Sequence, residues 1–223
     1  IMHEAMRERG VEPVFGSGVD HFEVDDDGRV EAAVDPNGER YACDFAGVAI
    51  GLDLNTELVE DTPVEVDDGI VVDEYMQTSV DNVFAAGDIT RFYDVVLGEQ
   101  AQNGAWGSAK EQGTIAAKNM LAYESEPFEW VSSYSITHFD FPFLSFGHPT
   151  LGDDAVEATT GENEWRRVAL KDGRVVGGVL IGDLSPQSAF KQLMREGRDV
   201  SGQTERLLEP DFAVDDLAAP TEQ

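Results

Sequence analysis

The alternation of apolar and polar positions changes character several times along this chain, and each change predicts a different element. Ile1, Ala5 and Met6 recur at helical spacing with Gly10 as a stop, so the sequence opens inside a helix already under way. Natural chains seldom begin there, and we expect a preceding part. Residues 11–15 read as a strand and Gly16-Ser17-Gly18 as a turn. Three short alternating runs, at 21–24, 30–34 and 40–43, are separated by Asp25-Asp26-Asp27-Gly28 and by Asp35-Pro36-Asn37-Gly38, which is turn chemistry. They predict a small antiparallel meander. Residues 45–50 form a continuous apolar run ended by Gly51, the pattern of a strand buried on both faces, and 70–72 and 83–86 repeat it.

A helix is predicted over about 107–121, with Ser108 as its cap, Glu111 at capping-box spacing, and Ile115, Ala116, Asn119 and Met120 along its length. The polar stretch 124–129, with Pro127, marks a boundary. Beyond it come the aromatics Trp130, Tyr134, Phe139, Phe141, Phe143 and Phe146, a hairpin of 165–170 and 174–181 about Lys171-Asp172-Gly173, and a helix over about 186–195. This is a second unit of α+β type. Six large aromatics are more than one hairpin and one helix readily cover, which predicts a homodimer interface; that they are consumed in the domain's own core is an equal reading. From Asp211 the chain is acidic, rich in Ala and Pro, and expected to fray.

Composition narrows the function. Among 223 residues, 15 Lys and Arg face 45 Asp and Glu, a formal net charge of −30. A nucleic-acid backbone or an anionic membrane surface would meet a strongly negative field, so neither is an expected partner. With 41% hydrophobic residues the chain has the apolar material to fold, and the acidity is not that of a disordered segment. An acidic coat spread from Glu4 to Glu222 suits a salt-rich cytoplasm, as in a halophile, where repulsion is screened. One cysteine, Cys43, excludes an internal disulfide and agrees with a reducing cytoplasm. No apolar run approaches 18 residues and no signal-peptide pattern is present. The four histidines show no metal-ligand spacing, and no Gly-x-Ser-x-Gly elbow points to a hydrolase.

The most informative stretch runs from Gln77-Thr78 to Val83-Phe84-Ala85-Ala86-Gly87-Asp88. Gly87 lets another molecule approach the backbone, and Asp88 projects an acceptor where open α/β sheets bind ligands, suited to a sugar or ribityl hydroxyl. On the last four residues alone, a plain strand followed by a Gly-Asp turn is an equal reading. Some twenty residues on, Trp106-Gly107-Ser108-Ala109 opens the predicted helix, whose unpaired N–H groups and positive dipole end would stabilise negative charge.

These two segments together resemble the second FAD-binding signature, and the helix beyond it, of the FAD-dependent pyridine nucleotide-disulfide oxidoreductases. The segment Cys43 to Asn55, with Gly51 inside it, looks like the passage by which those enzymes leave the NAD(P) domain and re-enter the FAD domain, though Leu54 stands where the family usually has Pro. Val175-Val176-Gly177-Gly178-Val179-Leu180-Ile181-Gly182-Asp183 and the helix after it resemble the extra domain of the NADH oxidase, rubredoxin reductase and nitrite reductase flavoprotein branch. The resemblance implies an α/β plus α+β fold, with partial Rossmann-like FAD and NAD(P) domains followed by an α+β domain. It divides the chain into 1–47 (NAD(P) domain), 48–125 (FAD domain), 126–210 (interface domain) and 211–223 (acidic tail). It also implies cofactor contacts from Gly87 and Asp88 to the ribityl chain, from Trp106, Gly107, Ser108 and Ala109 to the isoalloxazine, and from Gly51 to the nicotinamide side.

Gly16-Ser17-Gly18 lacks the third glycine and leads into a strand, so it is a turn and not a phosphate loop; both dinucleotide fingerprints would lie before Ile1. The implied activity is that of an FAD-dependent NAD(P)H oxidoreductase of which this is the C-terminal portion, passing hydride to the flavin and electrons to oxygen, a small redox protein, nitrite or a thiol. The alternative is a non-catalytic module for dimerisation or carrier docking.

Overall fold

The computed structural model describes residues 2–137 and 142–217, in two compact units that meet in sequence between Gly51 and Leu52. The first holds helix α1 (Met2–Glu8) and an antiparallel meander of β1 (His21–Val24), β2 (Val30–Val34) and β3 (Arg40–Ala42), in the order β1-β2-β3. The meander is where the turn residues predict it. Asp35 closes the β2–β3 turn by accepting from the N–H groups of Asn37 and Glu39, at 2.9 and 2.8 Å. Its other oxygen takes the Ser17 hydroxyl at 2.9 Å, so the Gly16–Gly18 turn spends its one polar side chain on a buried carboxylate.

Two expected strands of this unit are absent. Residues 11–15 and 45–50 carry no ladder, and Phe15, Phe45, Val48 and Ile50 are exposed. The physical reason is the same for both. A strand buried on two faces needs hydrogen-bonded neighbours on each side, and among the described residues neither segment has one.

The second unit contains β4 (Ile70–Val71), β5 (Thr90–Asp94), β6 (Glu99–Gln102), α2 (Trp106–Leu121), β7 (Ser133–Ile136), β8 (Phe143–Gly147), β9 (Asp154–Gly161), β10 (Glu164–Lys171), β11 (Arg174–Ile181) and α3 (Gln187–Glu196), followed by two short 3-10 helices. A three-stranded sheet runs β4-β5-β6, parallel between β4 and β5. A five-stranded antiparallel sheet runs β7-β8-β11-β10-β9. Ile70, Val72, Met76, Phe92, Ile115, Ala116 and Phe128 fill the core between the smaller sheet and α2. Phe146, Val168 and Leu180 of the larger sheet pack with Phe190 and Leu193 of α3 and with the C-terminal 3-10 turns.

Residues 83–86 do not form the expected buried strand. Only Phe84 bridges, to Gln77, and the chain passes through a turn before entering β5. Nor does Ser108 cap α2: the cap is Ala105, with no side-chain bond, because Ser108 is buried within the first turn. Of the aromatics, Phe146 is core, Tyr134 is half exposed, and Phe139 and Phe141 lie outside the described residues, as does His138. Among the described residues no helix is long and apolar enough to cross a membrane.

Candidate functional site

The site is built on one turn and one helix start, both in the second unit. Asp73 accepts from the N–H groups of Tyr75 and Gln77, each at 2.9 Å, and Thr78 N–H bonds the Val83 carbonyl at 2.8 Å. This doubled-back segment delivers the turn 87–90, closed by Thr90, whose N–H reaches the Gly87 carbonyl at 3.0 Å and whose hydroxyl lies 2.9 Å from it. Gly87 has φ 99°, a conformation that other residues adopt only under strain, and nothing stands within 4 Å of where a Cβ would be. The backbone is open to a ligand there.

Asp88 follows. Its carbonyl accepts from Gln102 Nε2 at 2.8 Å, which holds the turn from its far side. Its Oδ1 is buried and has no hydrogen-bond donor. An acceptor taken from water without replacement costs about 1–3 kcal/mol, so a ligand hydroxyl arriving here would recover energy the folded chain has lost. Gly104 lies beside it: a Cβ there would collide with the Leu52 side chain and stand 4.0 Å from Asp88 Cγ.

Helix α2 begins nearby. Its first ladder bond runs from Ala109 N–H to the Ala105 carbonyl at 2.9 Å, so the N–H groups of Trp106, Gly107 and Ser108 lie outside the ladder at the positive end of the helix. Gly107 faces Trp130, whose ring would lie 3.2 Å from a Cβ at that position. Trp130 Nε1 is likewise buried without a partner. Trp106 is 81% exposed, with Lys110 Nζ 5.6 Å from its ring centroid. Lys191 Nζ lies 5.8 Å from the Trp130 ring and donates to Ser133 Oγ at 2.8 Å; burial, and then the charge of Arg195, push its ammonium below the ordinary lysine value.

The turn and the helix are joined by Gln112, which is fully buried. Its Oε1 accepts from Gly87 N–H and from the Thr90 hydroxyl, both at 2.7 Å, and its Nε2 reaches Ser108 Oγ at 3.3 Å. The fold thus brings together Gly87, Asp88, Trp106, Gly107, Ser108 and Ala109. Gly51 ends the first unit with φ 122° and an exposed backbone, and is not among the residues that the second unit gathers. Sequence reasoning passes over Gln112, Thr90, Gln102 and Gly104. The available signal is a polar residue at i+4 from Ser108 on the face that carries Ile115 and Asn119.

An unpartnered buried acceptor, an open glycine backbone and helix N–H groups outside the ladder are the acceptor, the close approach and the donors that a polyhydroxylated, partly anionic cofactor such as FAD needs, and the residues present fit it. The family model described as pyridine nucleotide-disulphide oxidoreductase matches residues 1–113, just over half of the 223. That of the rubredoxin NAD+ reductase C-terminal domain matches 136–198. The chain is 32% identical over 204 residues to pyridine nucleotide-disulfide oxidoreductase domain-containing protein 1 of Danio rerio, covering 81% of this chain and 40% of that protein. It is 25% identical over 183 residues to nitrite reductase [NAD(P)H] of Bacillus subtilis strain 168, covering 80% of this chain and 22% of that one. The ferredoxin reductase for the CYP199A2 system of Rhodopseudomonas palustris shares the fold, with a TM-score of 0.82 over 98% of this chain and 53% of that one, at 19% identity. The chain spans about two fifths of the length of the first of these relatives. By its turn, its helix start and its match across both segments, it belongs to the pyridine nucleotide-disulphide oxidoreductase family.

Proposed function

We propose that this chain is the flavin-binding and acceptor-facing portion of an FAD-dependent NAD(P)H oxidoreductase that passes electrons to a small redox protein in a reducing cytoplasm. The observation that carries the flavin reading is the buried, unpartnered Oδ1 of Asp88 beside the open Gly87 backbone. FAD bound there would supply the redox chemistry, accepting hydride equivalents from the nicotinamide and releasing electrons singly or in pairs. The chain's own part is to hold and polarise. Asp88 accepts a hydroxyl of the ribityl chain. The N–H groups of Trp106, Gly107 and Ser108, with the dipole behind them, favour negative charge placed before α2. Trp130, packed on Gly107, keeps water from the helix start and carries a free donor. A small redox protein as acceptor is supported by the match to the rubredoxin NAD+ reductase C-terminal domain and by the ferredoxin reductase that shares the fold.

The test is FAD titration of the full-length protein, followed by quenching of flavin fluorescence, with Asp88→Ala alongside. A hydrogen bond to a charged acceptor contributes roughly 1.5–3 kcal/mol, so the variant is expected to bind FAD about tenfold to a hundredfold more weakly while melting as the parent does. Equal affinity in parent and variant would remove Asp88 from the cofactor site and the flavin reading with it.

A further inference from the structure

Gln112 is a polar side chain with no exposed surface, placed on a helix face whose next buried positions are Ile115 and Ala116. A leucine there would pack as those residues do. Its amide bridges the two elements of the site instead. Gly87 N–H can only donate, so it fixes which end of the amide faces the turn: Oε1 must point at Gly87, and Nε2 must point at Ser108. Thr90 has one hydroxyl proton and two acceptors in reach, the Gly87 carbonyl at 2.9 Å and Gln112 Oε1 at 2.7 Å. Two lone pairs held 2.7 Å apart would repel, so that proton lies toward the glutamine.

We infer that Gln112 is a positioning residue that holds the Asp88 carboxylate and the start of α2 in a single fixed arrangement. This rests on the flavin reading above. The peptide N–H that Gln112 grips belongs to the residue immediately before Asp88, and the hydroxyl it takes belongs to the residue that closes the same turn. On the helix, Nε2 reaches Ser108, the third residue of α2 and one of the three whose N–H lies outside the ladder. The two bonds at 2.7 Å are short and the one at 3.3 Å is long, so the grip is firmer on the turn than on the helix. Any change at Gln112 therefore reaches a bound cofactor chiefly through Asp88. Gln102, which bonds the Asp88 carbonyl from the opposite side, does not touch α2 by this route and cannot substitute for it.

The experiment is a double-mutant cycle in the full-length protein between Gln112→Leu and Asp88→Ala, read by FAD dissociation constant, by visible circular dichroism of the bound flavin, and by melting of the ligand-free protein. Gln112→Leu strands the Gly87 N–H and the Thr90 hydroxyl and is expected to weaken FAD binding roughly tenfold and to alter the flavin dichroism. In the Asp88→Ala background its effect should shrink to about threefold or less, because the residue it positions is gone. Gln112→Glu, whose carboxyl oxygens still accept from Gly87 and Thr90, should restore most of the lost affinity. If Asp88→Ala weakens FAD binding while Gln112→Leu lowers only the melting temperature, Gln112 is a packing residue; the inference falls and the flavin reading stands. Full additivity of the two changes also overturns it. If neither variant alters FAD binding, both fall. Should Gln112→Leu not fold, Thr90→Val removes one of the two donors and takes its place in the same cycle.

Discussion

His148 Nε2 lies 2.9 Å from Asp94 Oδ2, joining the end of β5 to the residue that follows β8. The Asp94 side chain is 5% exposed and that of His148 is 19% exposed. The other Asp94 oxygen accepts from Val96 and Leu97 N–H, at 2.8 and 3.1 Å, and so closes the β5–β6 turn. One carboxylate thereby fastens the small sheet that carries the Gly87–Asp88 turn to the large antiparallel sheet.

Burial alone would raise the Asp94 carboxyl, but the bond to His148, its charge, and the two backbone N–H groups outweigh it and hold the group below its ordinary value of 3.8. A carboxyl depressed in the folded state contributes stability that is complete above the ordinary value and is lost as pH falls through the depressed one. Urea unfolding of the parent should therefore show stability falling as pH drops below about 3.8, with that step reduced in Asp94→Asn. At neutral pH, His148→Phe leaves the buried carboxylate without its partner and should cost about 3 kcal/mol. An unchanged unfolding midpoint in that variant would remove the clasp.

Arg166 is 1% exposed, with its guanidinium bonded to the carbonyls of Leu207 and Glu209 at 2.8 and 2.7 Å and stacked 5.7 Å from the Phe190 ring. Burial lowers its pKa, and Asp183 and Glu164 partly offset this. Both of those bonds leave Nη1, while Nη2 reaches toward the Pro210 carbonyl at 3.5 Å and lies 3.9 Å from Asp183 Oδ2, so the planar guanidinium serves acceptors from two nitrogens where a lysine ammonium has one. Arg166→Lys should destabilise the chain by about 2–4 kcal/mol and open the C-terminal 3-10 segment to proteolysis before the sheet. Cleavage at the same rate in parent and variant would count against it.

Thirty net negative charges repel one another most where they are least screened. The melting temperature should rise steadily from low-salt buffer to molar KCl, with sulfate and chloride compared at equal ionic strength to separate screening from exclusion effects. A flat profile would mean that the acidic surface carries no net repulsive cost and would end the reading of salt adaptation.

The parts of this protein that were legible in its sequence are those decided within a few residues of chain. Asp35 caps its own turn and Lys171-Asp172-Gly173 joins β10 to β11, both by local backbone and side-chain geometry. The open backbone of Gly87 beside the acceptor of Asp88 was legible for the same reason, since the two are adjacent in sequence, whereas their link to the start of α2 runs through Gln112, 25 residues from Gly87. Tertiary structure decided the rest. The run 45–50 reads as a buried strand, yet a strand exists only where a neighbour supplies its ladder. Conversely β6, Glu-Gln-Ala-Gln, and β9, rich in Thr and Ala, carry little apolar alternation and become strands because β5 and β10 offer them edges. Gln112 and Arg166 look like surface residues until the fold places a Gly87 N–H 25 residues away, and a Leu207 carbonyl 41 residues away, within hydrogen-bonding reach. Local torsions can be read from neighbouring residues, but the partner of a buried polar group is chosen by the packing of distant segments, and no pattern along the chain records that choice.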